Sequence, residues 1–110
     1  MTPQGSHLYA FGPFWFDPSE RVLHNNGDIV PLTPKVFQTL LVLVESAGRV
    51  VQKEEFLDRI WPSVFVEESN LNVNVCILRR ALGDDSRTHR YIETVPKRGY
   101  RFVASVQKSN

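Results

Sequence analysis

Between Ser69 and Leu82 the chain reads SNLNVNVCILRRAL. On a helix turning about 100° per residue, Leu71, Val75, Leu78 and Leu82 share one narrow sector, the stripe that docks a helix on a core. Asn70, Val73, Cys76, Ile77 and Arg80 fall on the opposite sector. Asn70, Asn72 and Asn74 are poor helix formers because their amides compete for backbone hydrogen bonds, so local propensity does not account for them. An Asn amide pairs bidentately with the edge of adenine, and Val73 and Ile77 offer apolar surface to a thymine methyl. Such a face has the chemistry to read a duplex through its major groove. The competing reading is a second packed face with Val73 and Ile77 in the core, and the helix alone does not choose between the two.

Charge is distributed unevenly around this segment. The net charge of the 110 residues is +1, but residues 1–48 hold two basic and four acidic side chains, residues 49–86 five and seven, and residues 87–110 six and one. The last segment is therefore cationic, and it coincides with the strand-like pattern YIETVPKRGYRF rather than with a floppy end. That is the footprint expected for a polyanion partner; a merely solubilising tail is the alternative. The single cysteine, Cys76, allows no internal disulfide and has no metal-ligand spacing. His7, His24 and His89 are too scattered to form a local ligand set, so neither a metal nor a cofactor is expected.

The elements that must position these residues follow from turn chemistry and periodicity. Residues 1–7 lack periodicity and are read as a flexible leader outside the fold. Leu8 to Leu32 holds short apolar pieces divided by Gly12-Pro13, Asp17-Pro18-Ser19 and Asn25-Asn26-Gly27, which predicts an antiparallel four-stranded sheet with a tight hairpin at Asn26-Gly27. Thr33-Pro34 offers a capping hydroxyl and a ring suited to the first helical position, starting a helix that runs to about Ser46 and buries Val36, Phe37, Leu40, Leu41 and Val44. Gly48 is expected in the left-handed conformation just past its end.

Arg49 to Val51 suits a short strand, and Lys53 to Trp61 a second helix through Phe56, Leu57, Ile60 and Trp61, ended by Pro62. Glu54 and Glu55 in its first turn complement the helix dipole better than they suggest a catalytic pair. The connection PSVFVEE, Pro62 to Glu68, joins two helices in a helix-turn-helix order, and either Phe65 or Val66 is expected to plug the gap between them. Gly83-Asp84-Asp85-Ser86 stops the third helix. Tyr91 to Val95 and Tyr100 to Val103 then form a hairpin with Lys97 and Arg98 at its tip. The expected fold class is α+β: a four-stranded N-terminal sheet, three helices and a C-terminal β-hairpin wing, occupying 8–106, with 107–110 as a tail or the start of a linker.

The order and wording of LTPKVFQTLLVL, GRVVQKEEFLDRIW, VNVCILRRALGDD and YIETVPKRGYRF resemble the OmpR/PhoB-type winged-helix DNA-binding domains of bacterial transcription regulators, from about Tyr9 to Val106. The start at Met1 and the phrase ETVPKRGYRF are most similar to the ToxR/CadC-type branch, in which this domain is N-terminal. The resemblance implies a third helix in the major groove of double-stranded DNA and a wing at the neighbouring minor groove. Matched position by position, Ser69, Asn70, Val73, Asn74, Cys76, Ile77 and Arg79 correspond to recognition-helix contacts, and Thr94 to a wing contact with phosphate. Several family members carry arginine where this chain has Ser69, Cys76, Ile77 and Pro96, which weakens direct reading of guanine here.

On these grounds Arg79, Arg80, Lys97, Arg98 and Arg101 are expected to supply phosphate attraction, with Arg98 as the minor-groove probe and Lys97 on a phosphate. Arg80 has the alternative of reaching a base. Asn70, Asn74, Val73 and Ile77 are expected to read base edges, which predicts a preference for A·T-rich sites and tandem binding of two copies. The rival function is a winged-helix interaction module that contacts RNA polymerase through the 62–68 loop or binds another regulator, since a fold does not set a function. An enzyme is the weakest option, because no Gly-rich phosphate loop, nucleophile elbow or metal motif occurs. The longest apolar run, Leu40 to Val44, is too short to cross a bilayer, so the domain is read as cytoplasmic, with any membrane anchor in a missing downstream segment.

Overall fold

The computed structural model describes residues 8–84 and 90–109. The leader 1–7, Asp85 and Ser86 of the helix stop, and Asn110 of the tail lie outside the described residues. The chain divides into two compact units, Met1–Leu32 with Ser105–Asn110, and Thr33–Ala104.

The first unit is an antiparallel sheet of β1 (Leu8–Phe11), β2 (Phe14–Asp17), β3 (Val22–Asn25), β4 (Asp28–Val30) and a strand formed by Gln107–Ser109. The strand order is β4-β3-β2-β1 followed by the Gln107–Ser109 strand. Period-two alternation buries Tyr9, Phe11, Phe14, Phe16 and Leu23 on one face. Trp15 and His24, cross-strand partners on the other face, stack with ring centroids 3.8 Å apart. Asn26 and Gly27 both adopt positive φ, 51° and 93°, in the two-residue loop closed by the Asn25–Asp28 pair. That is the geometry the Asn-Gly dipeptide favours.

The tail expectation for 107–110 is corrected here. Gln107–Ser109 pairs with β1, Ala10 opposite Gln107 and Leu8 opposite Ser109, so the sheet has five strands where the sequence suggests four. The edge of β1 offers unpaired backbone donors and acceptors, and any extended polar segment can satisfy them without a hydrophobic pattern of its own.

The second unit carries α1 (Pro34–Glu45), β5 (Val50–Gln52), α2 (Lys53–Ile60), α3 (Glu68–Leu82), β6 (Ile92–Val95) and β7 (Gly99–Phe102); the Gln107–Ser109 strand of the first unit is β8. Its core is built from Val36, Phe37, Leu40, Leu43 and Val44 of α1, Phe56 and Ile60 of α2, Leu71, Val75, Leu78 and Leu82 of α3, and Ile92 and Phe102 of the hairpin. The four α3 residues are those that share the apolar sector in the sequence. β7 is the middle strand of a three-stranded antiparallel sheet, with β5 on one side and β6 on the other.

The ends of the helices follow their punctuation with one exception. Pro34 occupies the first turn of α1, but the Thr33 side chain makes no capping bond; its backbone carbonyl accepts from the Phe37 N–H at 2.8 Å instead. Gly48 and Gly83 both have left-handed φ, 88° and 71°. Gly83 caps α3, and the following Asp84 N–H donates to the Arg79 carbonyl at 2.7 Å. Among the described residues no helix is long and apolar enough to cross a membrane, and no group of three or more His, Cys, Asp or Glu is placed to hold a metal ion.

Candidate nucleic-acid interface

α3 buries Leu71, Asn74, Val75 and Leu78 and exposes Ser69, Asn70, Asn72, Val73, Cys76, Ile77 and Arg80. Val73 is 56% exposed and Ile77 42%. The second-packed-face alternative therefore fails, because these two large apolar groups remain uncovered on the outward side of the helix. They flank Cys76, with Asn70 one turn before and Arg80 one turn after, so the face is apolar at its centre and polar at both ends.

The three asparagines have three different settings. Asn74 is 9% exposed, and its Nδ2 donates to Thr39 Oγ1 of α1 at 3.3 Å. The expectation that Asn74 reads a base edge is corrected: its amide faces the α1–α3 contact, where a buried polar group must find a partner inside the protein. Asn70 is exposed, and its Nδ2 donates to the Glu67 carbonyl at 3.3 Å, closing the first turn of α3. Asn72, which sequence reasoning does not select as a site residue, accepts at Oδ1 from the Tyr100 hydroxyl at 2.8 Å. Its unfavourable propensity is the only trace of this in the sequence.

The hairpin β6–β7 lies against α3 through side-chain bonds. Arg79 Nη2 donates to the Ile92 carbonyl at 3.0 Å and to Thr94 Oγ1 at 2.7 Å, and its guanidinium lies 6.0 Å from the centroid of the Tyr100 ring. Asp84 accepts from the backbone N–H groups of Arg90, Tyr91 and Ile92 at 2.7, 3.3 and 2.9 Å. This carboxylate is thus the clamp between the end of α3 and the start of the hairpin. Asn72, Arg79 and Asp84 thus join α3 to the hairpin within the second unit.

The hairpin turn brings Lys97 and Arg98 to an exposed tip. Arg98 N–H donates to the Val95 carbonyl at 3.0 Å, Pro96 stands at the second turn position and Lys97 at the third with φ of 65°, the pattern of a type II turn. Gly99, beyond the turn, is required for a different reason: a Cβ there would meet the Val51 carbonyl oxygen at 1.9 Å. The cations are not equivalent. Arg101 pairs with Glu93 across the strands, so its charge is already compensated, and Arg79 is held by the hairpin; the free phosphate contacts expected of both are qualified accordingly. Among the described residues, no ion pair engages Arg80, Lys97 or Arg98.

The α2–α3 connection is exposed. Phe65 is 91% exposed and Val64 is exposed beside it, whereas Val66 is half-buried, so Val66 is the better plug of the two expected and Phe65 is left outside. Ser63 adopts positive φ, 61°, in this loop.

Comparison with known proteins agrees with this architecture. A family model described as "Transcriptional regulatory protein, C terminal" matches residues 27–102. Transcriptional regulator HilA of Salmonella typhi is 42% identical over 101 residues, which are 92% of this chain and 18% of that protein, so the chain spans a small part of this relative's length. The DNA-binding domain of E. coli CadC superposes with a TM-score of 0.79 at 27% identity, covering 96% of this chain and 98% of that one. The DNA-binding domain of Klebsiella pneumoniae RstA, solved in complex with the RstA box, gives a TM-score of 0.77 at 26% identity and covers 87% of this chain and 96% of that one.

Proposed function

The chain belongs to the OmpR/PhoB-type family of transcriptional regulatory proteins, with the α+β winged-helix fold of their DNA-binding domains, and we propose on that premise that it binds double-stranded DNA sequence-selectively, α3 entering the major groove and the β6–β7 wing reaching the adjacent minor groove. The observation that carries this reading is the uncovered pair Val73 and Ile77 on the outer face of α3, beside a wing whose tip cations have no ion-pair partner among the described residues. Val73 and Ile77 lie one turn apart, and such adjacent apolar groups on an outward helix face suit thymine methyls in a major groove.

In this reading Val73 and Ile77 contact base methyls, Ser69, Asn70 and Cys76 line the same groove, and Arg80 reaches a phosphate or a base. Lys97 neutralises a phosphate and Arg98 enters the minor groove, where a narrow A·T-rich tract has enhanced negative potential. Thr94, exposed on the wing, donates its hydroxyl proton to a phosphate. Two copies bound in tandem would raise affinity over that of a single domain. Supporting the extension to this chain, the similar RstA domain was solved on its own DNA box.

The test is a titration of a labelled duplex, recovered by selection from random sequence, at several salt concentrations. Each phosphate contact contributes a slope of about −0.9 in log K against log salt. A binding constant independent of salt, or no duplex recovered at all, would overturn the assignment. A second role is favoured by one observation: Phe65 and Val64 protrude from the α2–α3 loop beside Glu67 and Glu68, a surface suited to RNA polymerase or another protein. Replacing Phe65 by Ser should then leave the DNA affinity unchanged while lowering transcription from a bound promoter.

A further inference from the structure

Tyr100 in β7 is 6% exposed, so it cannot itself touch a nucleic acid. Its hydroxyl reaches Asn72 on α3, its ring faces Arg79 two turns further along the same helix, and Arg79 in turn donates to Thr94, the cross-strand partner of Tyr100. Four side chains thus form a continuous path of contacts, from helix to middle strand, back to the helix, and out to the edge strand. Burial pushes the Tyr100 phenol above its ordinary pKa, against the opposing pull of Lys53 and Arg79.

The direction of the bonds matters. Thr94 Oγ1 accepts from the Arg79 guanidinium, so its own proton is free to be donated outward, and a hydroxyl polarised by a cation is the stronger donor. Two four-residue strands have little stability as an isolated hairpin, so what they pack and bond to sets where their tip points. A wing held in place before binding loses less conformational freedom when it docks.

We propose that Tyr100, Asn72 and Arg79 are positioning residues for DNA binding: they fix the wing to α3 as one body and orient the Thr94 hydroxyl as a donor, so that the wing's contribution to affinity depends on the bonds that join it to the helix. The inference rests on the groove assignment above. It also explains Asn72 on an otherwise base-facing helix surface, since its amide oxygen is engaged away from the groove.

A double-mutant cycle on the full chain tests it, using the labelled duplex recovered by selection as probe. Tyr100→Phe and Asn72→Ala should each weaken binding about fivefold, the range of one hydrogen bond, and together no more than either alone. In a Thr94→Ala/Lys97→Ala/Arg98→Ala background, where the wing offers nothing to dock, Tyr100→Phe should change affinity by less than about twofold. An equal loss in both backgrounds would mean that the bond acts only through general stability, and no loss in either would mean that the wing is held without it; both outcomes overturn the inference. A chain that binds no duplex defeats the groove assignment itself, which is a separate result from binding that weakens on removal of the wing charges but shows an additive cycle.

Discussion

Asn74 Nδ2 donates to Thr39 Oγ1 across 35 residues of sequence, and Thr39 passes its own proton to the Lys35 carbonyl one turn earlier in α1. A polar pair at the α1–α3 contact therefore has each of its hydroxyl functions used. Thr39→Val should leave the Asn74 amide buried without that acceptor and lower the unfolding free energy by about 1–3 kcal/mol in urea titrations, with Asn74→Ala costing about 1 kcal/mol. Neither substitution should change the DNA sequence recovered by selection. A shifted base preference for Asn74→Ala would return Asn74 to the reading face.

Gly99 admits no side chain because the Val51 carbonyl occupies the place of its Cβ. Gly99→Ala should separate β5 from β7 and destabilise the fold by on the order of 3 kcal/mol, seen as a lowered melting temperature. Since the same strand carries Tyr100, the loss of DNA affinity should exceed that caused by Lys97→Ala. A fully stable Gly99→Ala variant would refute the close packing.

Glu55 accepts from Arg49 Nη1 and Nη2 at 3.2 and 3.0 Å. These bonds hold its carboxyl below the ordinary carboxylate value, against a smaller opposing effect of burial, with the Arg49 and Arg59 charges adding to the depression. A group whose value is lower in the folded state contributes stability above its unfolded value, about 4.3, and that contribution is lost as pH falls through the folded one. Glu55→Gln should therefore reduce the loss of stability on acidification below about pH 5, by a small amount because the pair faces solvent. Identical pH profiles for the two proteins would contradict the pairing.

Ile77 and Lys97 should behave differently in selection experiments. Ile77→Ala removes a candidate methyl contact and should relax the preference at one or two positions, whereas Lys97→Ala should weaken all sequences alike and reduce the salt slope by about 0.9. Reversed behaviour would exchange the roles of helix and wing.

The sequence by itself determined the local features: the apolar stripe Leu71, Val75, Leu78 and Leu82, the turn at Asn26-Gly27, the left-handed Gly48, the helix stop at Gly83, and the cationic hairpin. Each depends on periodicity or on backbone freedom within a few residues. The outward placement of Val73 and Ile77 was legible as one of two alternatives, and packing chose between them. The tertiary structure alone decided what the asparagines do, because the partners of Asn72 and Asn74 lie 28 and 35 residues away and no local pattern encodes such a distance. It alone recruited Gln107–Ser109 as a fifth strand, since an edge binds backbone groups irrespective of side chains. The need for glycine at Gly99 likewise arises from the approach of another strand, not from the turn beside it.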